Sequence, residues 1–146
     1  MTIRGVLIFA AVTMATASAA ATLASYQWKA RPLLIFSQDE ADARLKKQLG
    51  IVRGNKRAIG ERDMAVVVVL PRSVNVIAGP GASLSPQALR QQYRISQNQF
   101  RTILIGKDGG QKLSSAEPVS AARLFSTIDA MPMRRDEIRK GGQAQR

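Results

Sequence analysis

The chain has 146 residues, of which 45% are hydrophobic, and its 22 Lys and Arg against 10 Asp and Glu give a formal charge of +12. That length suits one domain with its own core, and the hydrophobic share excludes wholesale disorder. Cysteine and histidine are both absent, which excludes thiolate nucleophiles, disulfides, zinc sites with Cys or His ligands and imidazole general bases; no cofactor and no metal are expected.

Met1–Gly5 carries one charge, on Arg4, and Val6–Ala15 is apolar. Ala17-Ser18-Ala19 then offers a small-residue cleavage site. A charged start, an apolar stretch and such a site read as a signal peptide over residues 1–19, cut near Ala19, which sends the chain to the periplasm or the extracellular space. The alternative is an uncleaved anchor, since Val6–Ala24 is almost long enough to span a bilayer, although it is rich in Ala, Thr and Ser rather than Leu. Loss of residues 1–19 removes one cation and no acid, so the exported chain stays strongly basic.

Residues 20–30 form a lead-in that ends in Tyr26-Gln27-Trp28-Lys29. Leu33-Leu34-Ile35-Phe36, opened by Arg31-Pro32, is short and apolar, which predicts a buried strand. Ser37 and Glu40 have the S-x-x-E spacing of a capping box, predicting a helix from Gln38 to Gly50 with Ala41, Leu45 and Leu49 on its inner face. The polar, Gly-containing stretch Arg53–Arg62 reads as a surface loop. Met64–Leu70 is β-branched and uncharged throughout, as befits a central strand covered on both faces. Ser73–Ser85 reads mainly as loop, with a short extended piece at Val74–Ile77.

Ser85-Pro86 supplies a cap and a first-turn proline for a second helix reaching Tyr93, with Leu89 and Tyr93 inward. Phe100–Ile105 and Gln111–Leu113 read as strands joined through Lys107-Asp108-Gly109-Gly110, whose Asp-Gly step favours a hairpin. A last helix over Val119–Ala130 carries the stripe Leu124, Phe125, Ile128 and Met131. Pro132 interrupts it, Met133–Lys140 adds a turn or two, and residues 141–146 read as a disordered tail. Residues 31–140 are thus one α/β domain. A central mixed sheet of about four strands is flanked by helices, a βα unit precedes an antiparallel ββα unit, and the order is thioredoxin-like.

Four stretches carry a family resemblance: Arg31–Phe36, Glu61-Arg62-Asp63, Leu104–Leu113 and Ile128–Arg135. Together they resemble the DUDES-type domain, a peroxiredoxin-like offshoot of the thioredoxin superfamily also known as the domain of unknown function 4174. The Gly-Lys-Asp-Gly-Gly hairpin and the Met-Pro-Met-Arg segment are the most specific parts, and the likeness runs from Trp28 to Lys140. It implies an exported thioredoxin-like domain, of a kind found in bacterial envelope proteins and repeated in animal extracellular matrix proteins, and it names no activity. In the wider superfamily the reactive cysteine follows the first strand. Here that place reads Ser37-Gln38-Asp39-Glu40, and Asn98–Arg101 lacks the superfamily's proline before the third strand. Redox chemistry is therefore out of reach while the scaffold remains.

Ligands of open α/β sheets favour the carboxyl ends of the strands, which makes Ser37, Gln38, Asp39 and Glu40 the candidate ligand site. The competing explanation is a plain helix cap. Asp39, Glu40 and Asp63 are the carboxylates a cofactor-free enzyme would use, against ordinary ion pairs with the many nearby cations. Arg53, Lys56, Arg57, Arg134 and Arg135 are candidates for binding a polyanion. Aromatic residues do not interleave with them, which disfavours a nucleic-acid platform. The expected role is a noncatalytic binding or scaffold module of the cell envelope. Its partner would be a protein or an anionic polymer, and contact with a membrane surface is left open.

Overall fold

The computed structural model describes residues 23–144. The leader expected over residues 1–19, and the last two residues, lie outside the described residues.

Five strands form one mixed sheet in the order β3-β2-β1-β4-β5. β1 (Arg31–Phe36) and β2 (Met64–Val69) are parallel, with Arg31 opposite Met64 and Phe36 opposite Val69. Every residue of both is buried, as their unbroken apolar runs require of central strands covered on two faces. β4 (Arg101–Ile105) runs antiparallel to β1, β5 (Gln111–Ser115) antiparallel to β4, and β3 (Val74–Ala78) antiparallel to β2.

β3 makes the sheet one strand larger than the sequence predicts. Val74 and Val76 pack against the core, while Asn75 and Ile77 face outward, the alternation of an edge strand. Turn residues on both sides, Pro71 and Gly79-Pro80-Gly81, mask that short pattern. Gly79 is required where it stands: its φ is +80°, and a Cβ there would lie 2.5 Å from the Met64 carbonyl oxygen.

Alternation along the strands sends side chains into two cores. Leu33, Ile35, Val66, Val68 and Leu104 meet α1 (Ala43–Gly54), α2 (Lys56–Glu61) and α4 (Ala121–Asp129) through Leu45, Val52, Ile59, Leu124 and Ile128. Leu34, Phe36, Val67, Val69 and Ile103 meet Leu23 and Tyr26 of a short 3-10 helix and Leu89 of α3 (Pro86–Tyr93). The lead-in is therefore part of the core. Tyr26 is 1% exposed and donates its hydroxyl to the Pro80 carbonyl at 3.0 Å.

Several boundaries depart from the sequence expectation. The first helix starts at Ala43, because Asp42 rather than Ser37 caps it: Asp42 Oδ1 accepts from the Arg44 N–H at 2.8 Å. Ser37 instead continues the line of β1, its N–H donating to the Val69 carbonyl. The inner face of that helix is Leu45, Gln48 and Val52, with Leu49 partly buried and Ala41 outside the helix. Gln48 is fully buried: its amide donates to the Val119 carbonyl at 3.1 Å and accepts from the Val119 N–H at 2.7 Å.

The supposed loop Arg53–Arg62 is helical at both ends, broken at Asn55 and anchored by buried Ile59. Met133–Lys140 belongs to α5 (Pro132–Gln143), which carries through Gly141, Gly142 and Gln143 and replaces the first half of the expected tail. α3, the β4–β5 hairpin and α4 fall within one or two residues of their expected places.

Candidate functional site at the amino end of the parallel strands

The candidate ligand segment is built differently from the expectation. Ser37 is fully buried and its hydroxyl donates to the Asp39 carbonyl at 2.9 Å. Gln38, Asp39 and Glu40 are exposed. Asp39 Oδ1 accepts from the Ala41 N–H, a local turn. These three residues border an open depression of about 330 Å³ together with Leu70, Pro71, Arg72 and Ser73.

Beneath it, the carboxyl ends of β1 and β2 are closed by Arg90, a residue that sequence reasoning left unremarked on α3. Its guanidinium donates to the carbonyls of Ser37 (2.7 Å), Val69 (3.2 Å) and Ser96 (2.6 Å) and lies over the Phe36 ring at 5.6 Å. Burial pulls its pKa down from the ordinary arginine value. The i, i+1 placement beside Leu89, both facing inward, gives no sequence signal for an arginine in a core.

The richest polar constellation sits at the opposite end of the sheet. Arg31, the first residue of β1, is 0% exposed. It donates to the Arg62 carbonyl at 2.8 Å and, through both terminal nitrogens, to the Glu137 carboxylate of α5 at 3.1 and 3.3 Å. Lys107, which follows β4, donates to Glu137 Oε1 at 2.7 Å and to Asp63 Oδ2 at 2.8 Å. Arg62 grips Asp129 with two bonds of 3.0 and 2.8 Å and stacks over Phe125 at 4.4 Å. Arg134 reaches Asp129, Glu137 and the Glu61 carbonyl.

The three motifs Glu61-Arg62-Asp63, Gly106-Lys107-Asp108 and Met133-Arg134 thus converge with Arg31 on one cluster. Backbone strain gathers there as well. Trp28 and Asp63 both adopt positive φ (65° and 48°), and each ties its backbone to the cluster: Trp28 N–H donates to the Lys107 carbonyl, and the Asp63 carbonyl accepts from the Arg31 N–H.

Burial alone would push the Glu137 carboxyl up, but hydrogen bonds and charge from Lys107 and Arg31 together bring it down to about 2. The Arg62 hydrogen bond, its charge and the Arg134 contacts hold Asp129 below the usual range against a smaller burial effect. Hydrogen bonds from neighbouring cations likewise lower Asp42 and Asp108. Carboxylates held ionised in this way are poor proton donors at neutral pH. Asp63 stands half exposed against Lys107, and Asp39 and Glu40 lie on the surface at the far end, so the three carboxylates considered for acid–base chemistry are not assembled into one site.

The polyanion candidates divide. Arg53, Lys56 and Arg135 are exposed. Arg57 is exposed and pairs with Glu61 one turn on. Arg134 is held within the cluster, its side chain 14% exposed, so it is not free to meet a polyanion. Its bond to the Glu61 carbonyl brings α5 against the end of α2, and so draws the two basic stretches toward each other. Among the described residues, no group of His, Cys, Asp and Glu is placed to hold a metal ion, and no helix is long and apolar enough to cross a membrane.

Comparison with known proteins bears on the same segments. The chain is 28% identical over 131 residues to the human "Sushi repeat-containing protein SRPX", 27% to its rat counterpart and 26% to the mouse one. The alignments cover 87% of this chain and 28% of each relative, so the chain corresponds to a minor part of those longer proteins. A family profile described as "Domain of unknown function (DUF4174)" matches residues 22–137, a range that begins just before the 3-10 helix and ends on Glu137. The chain belongs to the DUF4174 family.

Proposed function

We propose that this chain is an exported, noncatalytic binding or scaffold domain of the cell envelope, built on a thioredoxin-like framework of the DUDES, peroxiredoxin-like kind. Support for the framework comes from the topology. Parallel β1 and β2 are joined through α1 and α2, antiparallel β4 and β5 lead into α4, and β3 is an addition at the edge. Support for export comes from the charged, apolar and small-residue succession of residues 1–19.

One observation carries the noncatalytic reading. The place after β1, where the superfamily keeps its thiol, holds a buried serine whose carbonyl and whose neighbour Val69 are bound by the Arg90 guanidinium. A chain without any cysteine has nothing to resolve a thiol there in any case. What remains for contact with other molecules is a strongly basic exterior, to which Arg53, Lys56 and Arg135 contribute exposed cations.

The test is capture of partners by residues 20–146 from a native envelope extract at low and high salt. A stoichiometric protein partner that survives high salt supports an interaction module. Capture that disappears as salt rises narrows the role to adhesion by charge. Absence of any bound component at either salt level overturns the proposal.

A further inference from the structure

The Glu137 carboxylate is surrounded as a bound ligand would be. Arg31 presents both terminal nitrogens to its two oxygens, Lys107 adds a 2.7 Å bond to Oε1, and Arg134 reaches Oε2 at 3.4 Å. A planar guanidinium fork backed by an ammonium group is the chemistry that recognises a carboxylate.

The two halves of this arrangement differ in how firmly they are built in. Arg31 is 0% exposed at the head of β1, and Lys107 is 9% exposed in the turn that joins β4 to β5; one belongs to the sheet and the other to its hairpin. Arg31 also keeps its Nε buried with no hydrogen-bond partner. Glu137 rides on α5, a helix with no buried residue at all, joined to α4 through Ala130 and Met131 alone. The attachment of α5 is therefore mainly ionic and polar. A small cavity of about 40 Å³ lies beside it, lined by Arg31, Lys107, Met131-Pro132-Met133 and the paired Asp108 and Lys112, at the point where α5 begins.

We propose that Arg31 and Lys107 form a binding site for an external carboxylate, and that α5 occupies this site with Glu137 as an internal placeholder. Lys107 keeps Asp63 as a partner at 2.8 Å, but the fully buried Arg31 has no other carboxylate and does not tolerate an empty site, so a ligand enters by exchange with Glu137 rather than by waiting for a vacancy. Glu137 competes as a tethered group at high effective concentration, so the external carboxylate prevails either at high concentration or with further contacts of its own. The proposal stands apart from the partner capture described above, since it concerns a site that can be probed with pure components.

The experiment is carboxylate rescue in the full chain. Glu137→Ala removes the placeholder and lowers the melting temperature. Sodium acetate at 100 mM, compared with sodium chloride at equal ionic strength, is expected to raise the melting temperature of this variant by about 5 °C and that of the unaltered chain by less than about 1 °C. The same comparison in Lys107→Met/Glu137→Ala is expected to lose the rescue. Glu137→Gln, which preserves the side-chain shape, serves if the alanine variant does not fold, and acetate should again stabilise it selectively. A synthetic peptide of residues 131–144 distinguishes the source of the carboxylate: binding at least tenfold tighter than acetate identifies a helix-borne acid, and equal or weaker binding identifies a small organic acid. Equal effects of acetate and chloride on both Glu137 variants overturn the proposal.

Discussion

Arg31 and Glu137 lie 106 positions apart in the chain, yet both terminal nitrogens of the one meet both carboxylate oxygens of the other, and the arginine is fully buried. The pair joins the head of β1 to α5, a helix none of whose own residues is buried and whose apolar hold is the partly buried cap Met131. Its strength follows from geometry and partial desolvation, in contrast to surface pairs such as Arg57–Glu61, where both side chains stand largely in water.

Acid should loosen this end of the molecule. Glu137 binds its proton more weakly in the folded chain, at about 2, than at its ordinary value of 4.5. The stabilisation is therefore complete above about pH 4.5 and fades as pH falls toward 2. The full shift corresponds to at most about 3 kcal/mol, reduced by the partial exposure of the carboxylate. Melting temperature measured from pH 6 to pH 2 should fall less steeply for Glu137→Gln than for the unaltered chain. Parallel curves would show that Glu137 does not contribute to the acid response.

The buried amide of Gln48 should matter as much as a core leucine. It satisfies both the N–H and the carbonyl of Val119, in the connection between β5 and α4. Gln48→Leu keeps the volume and leaves both backbone groups without that partner, at a cost of about 1–3 kcal/mol. Urea denaturation measures it, and a change below about 0.5 kcal/mol would contradict the assigned pairing.

Arg90 is tested in the same way. Replacement by Met retains much of the packing over Phe36 and removes the donors to Ser37, Val69 and Ser96. The expected loss is about 2–4 kcal/mol, and Arg90→Lys should recover little of it, because an ammonium cannot span three carbonyls as the planar fork does.

The basic surface should separate into residues that bind and residues that hold the fold. Arg53→Ala/Lys56→Ala/Arg135→Ala should elute from an anionic polymer column at clearly lower salt with an unchanged melting temperature. Arg134→Ala should instead lower the melting temperature, since its side chain bonds Asp129, Glu137 and the Glu61 carbonyl. A triple variant eluting with the unaltered chain would remove these cations from the binding surface.

Elements whose signal lies in the local chain were legible in the sequence. The unbroken apolar runs of β1 and β2, the Ser85-Pro86 start of α3 and the Asp-Gly hairpin each carry their own cause, and each stands within a residue or two of its expected place. Ser37 and Glu40 show the limit of such reasoning. Their spacing matches a capping box, but continued hydrogen bonding at the end of β1 takes Ser37 first, and Asp42 caps the helix in its stead. β3 was legible only as a short extended piece at Val74–Ile77 and not as a fifth strand of the sheet, because an edge strand needs only half an apolar pattern. The charge cluster was harder still. The motifs that carry the family resemblance were visible one by one, while their convergence on Arg31 depends on strand order and on where α5 docks. Nothing in Arg31 or Arg90 as letters distinguishes a buried guanidinium from the thirteen other arginines.

Arg90 closes the position after β1, and a Ser37→Cys variant probes that closure. With no other cysteine in the chain, the rate of reaction with a thiol reagent reports on this one site. Ser37 is 0% exposed, with Arg90 bound to its carbonyl, so the native variant should react at least a hundredfold more slowly than the unfolded one. Rapid labelling of the native variant, at a rate near that of the unfolded chain, would mean that the end of β1 is an open, accessible site and that Arg90 does not seal it.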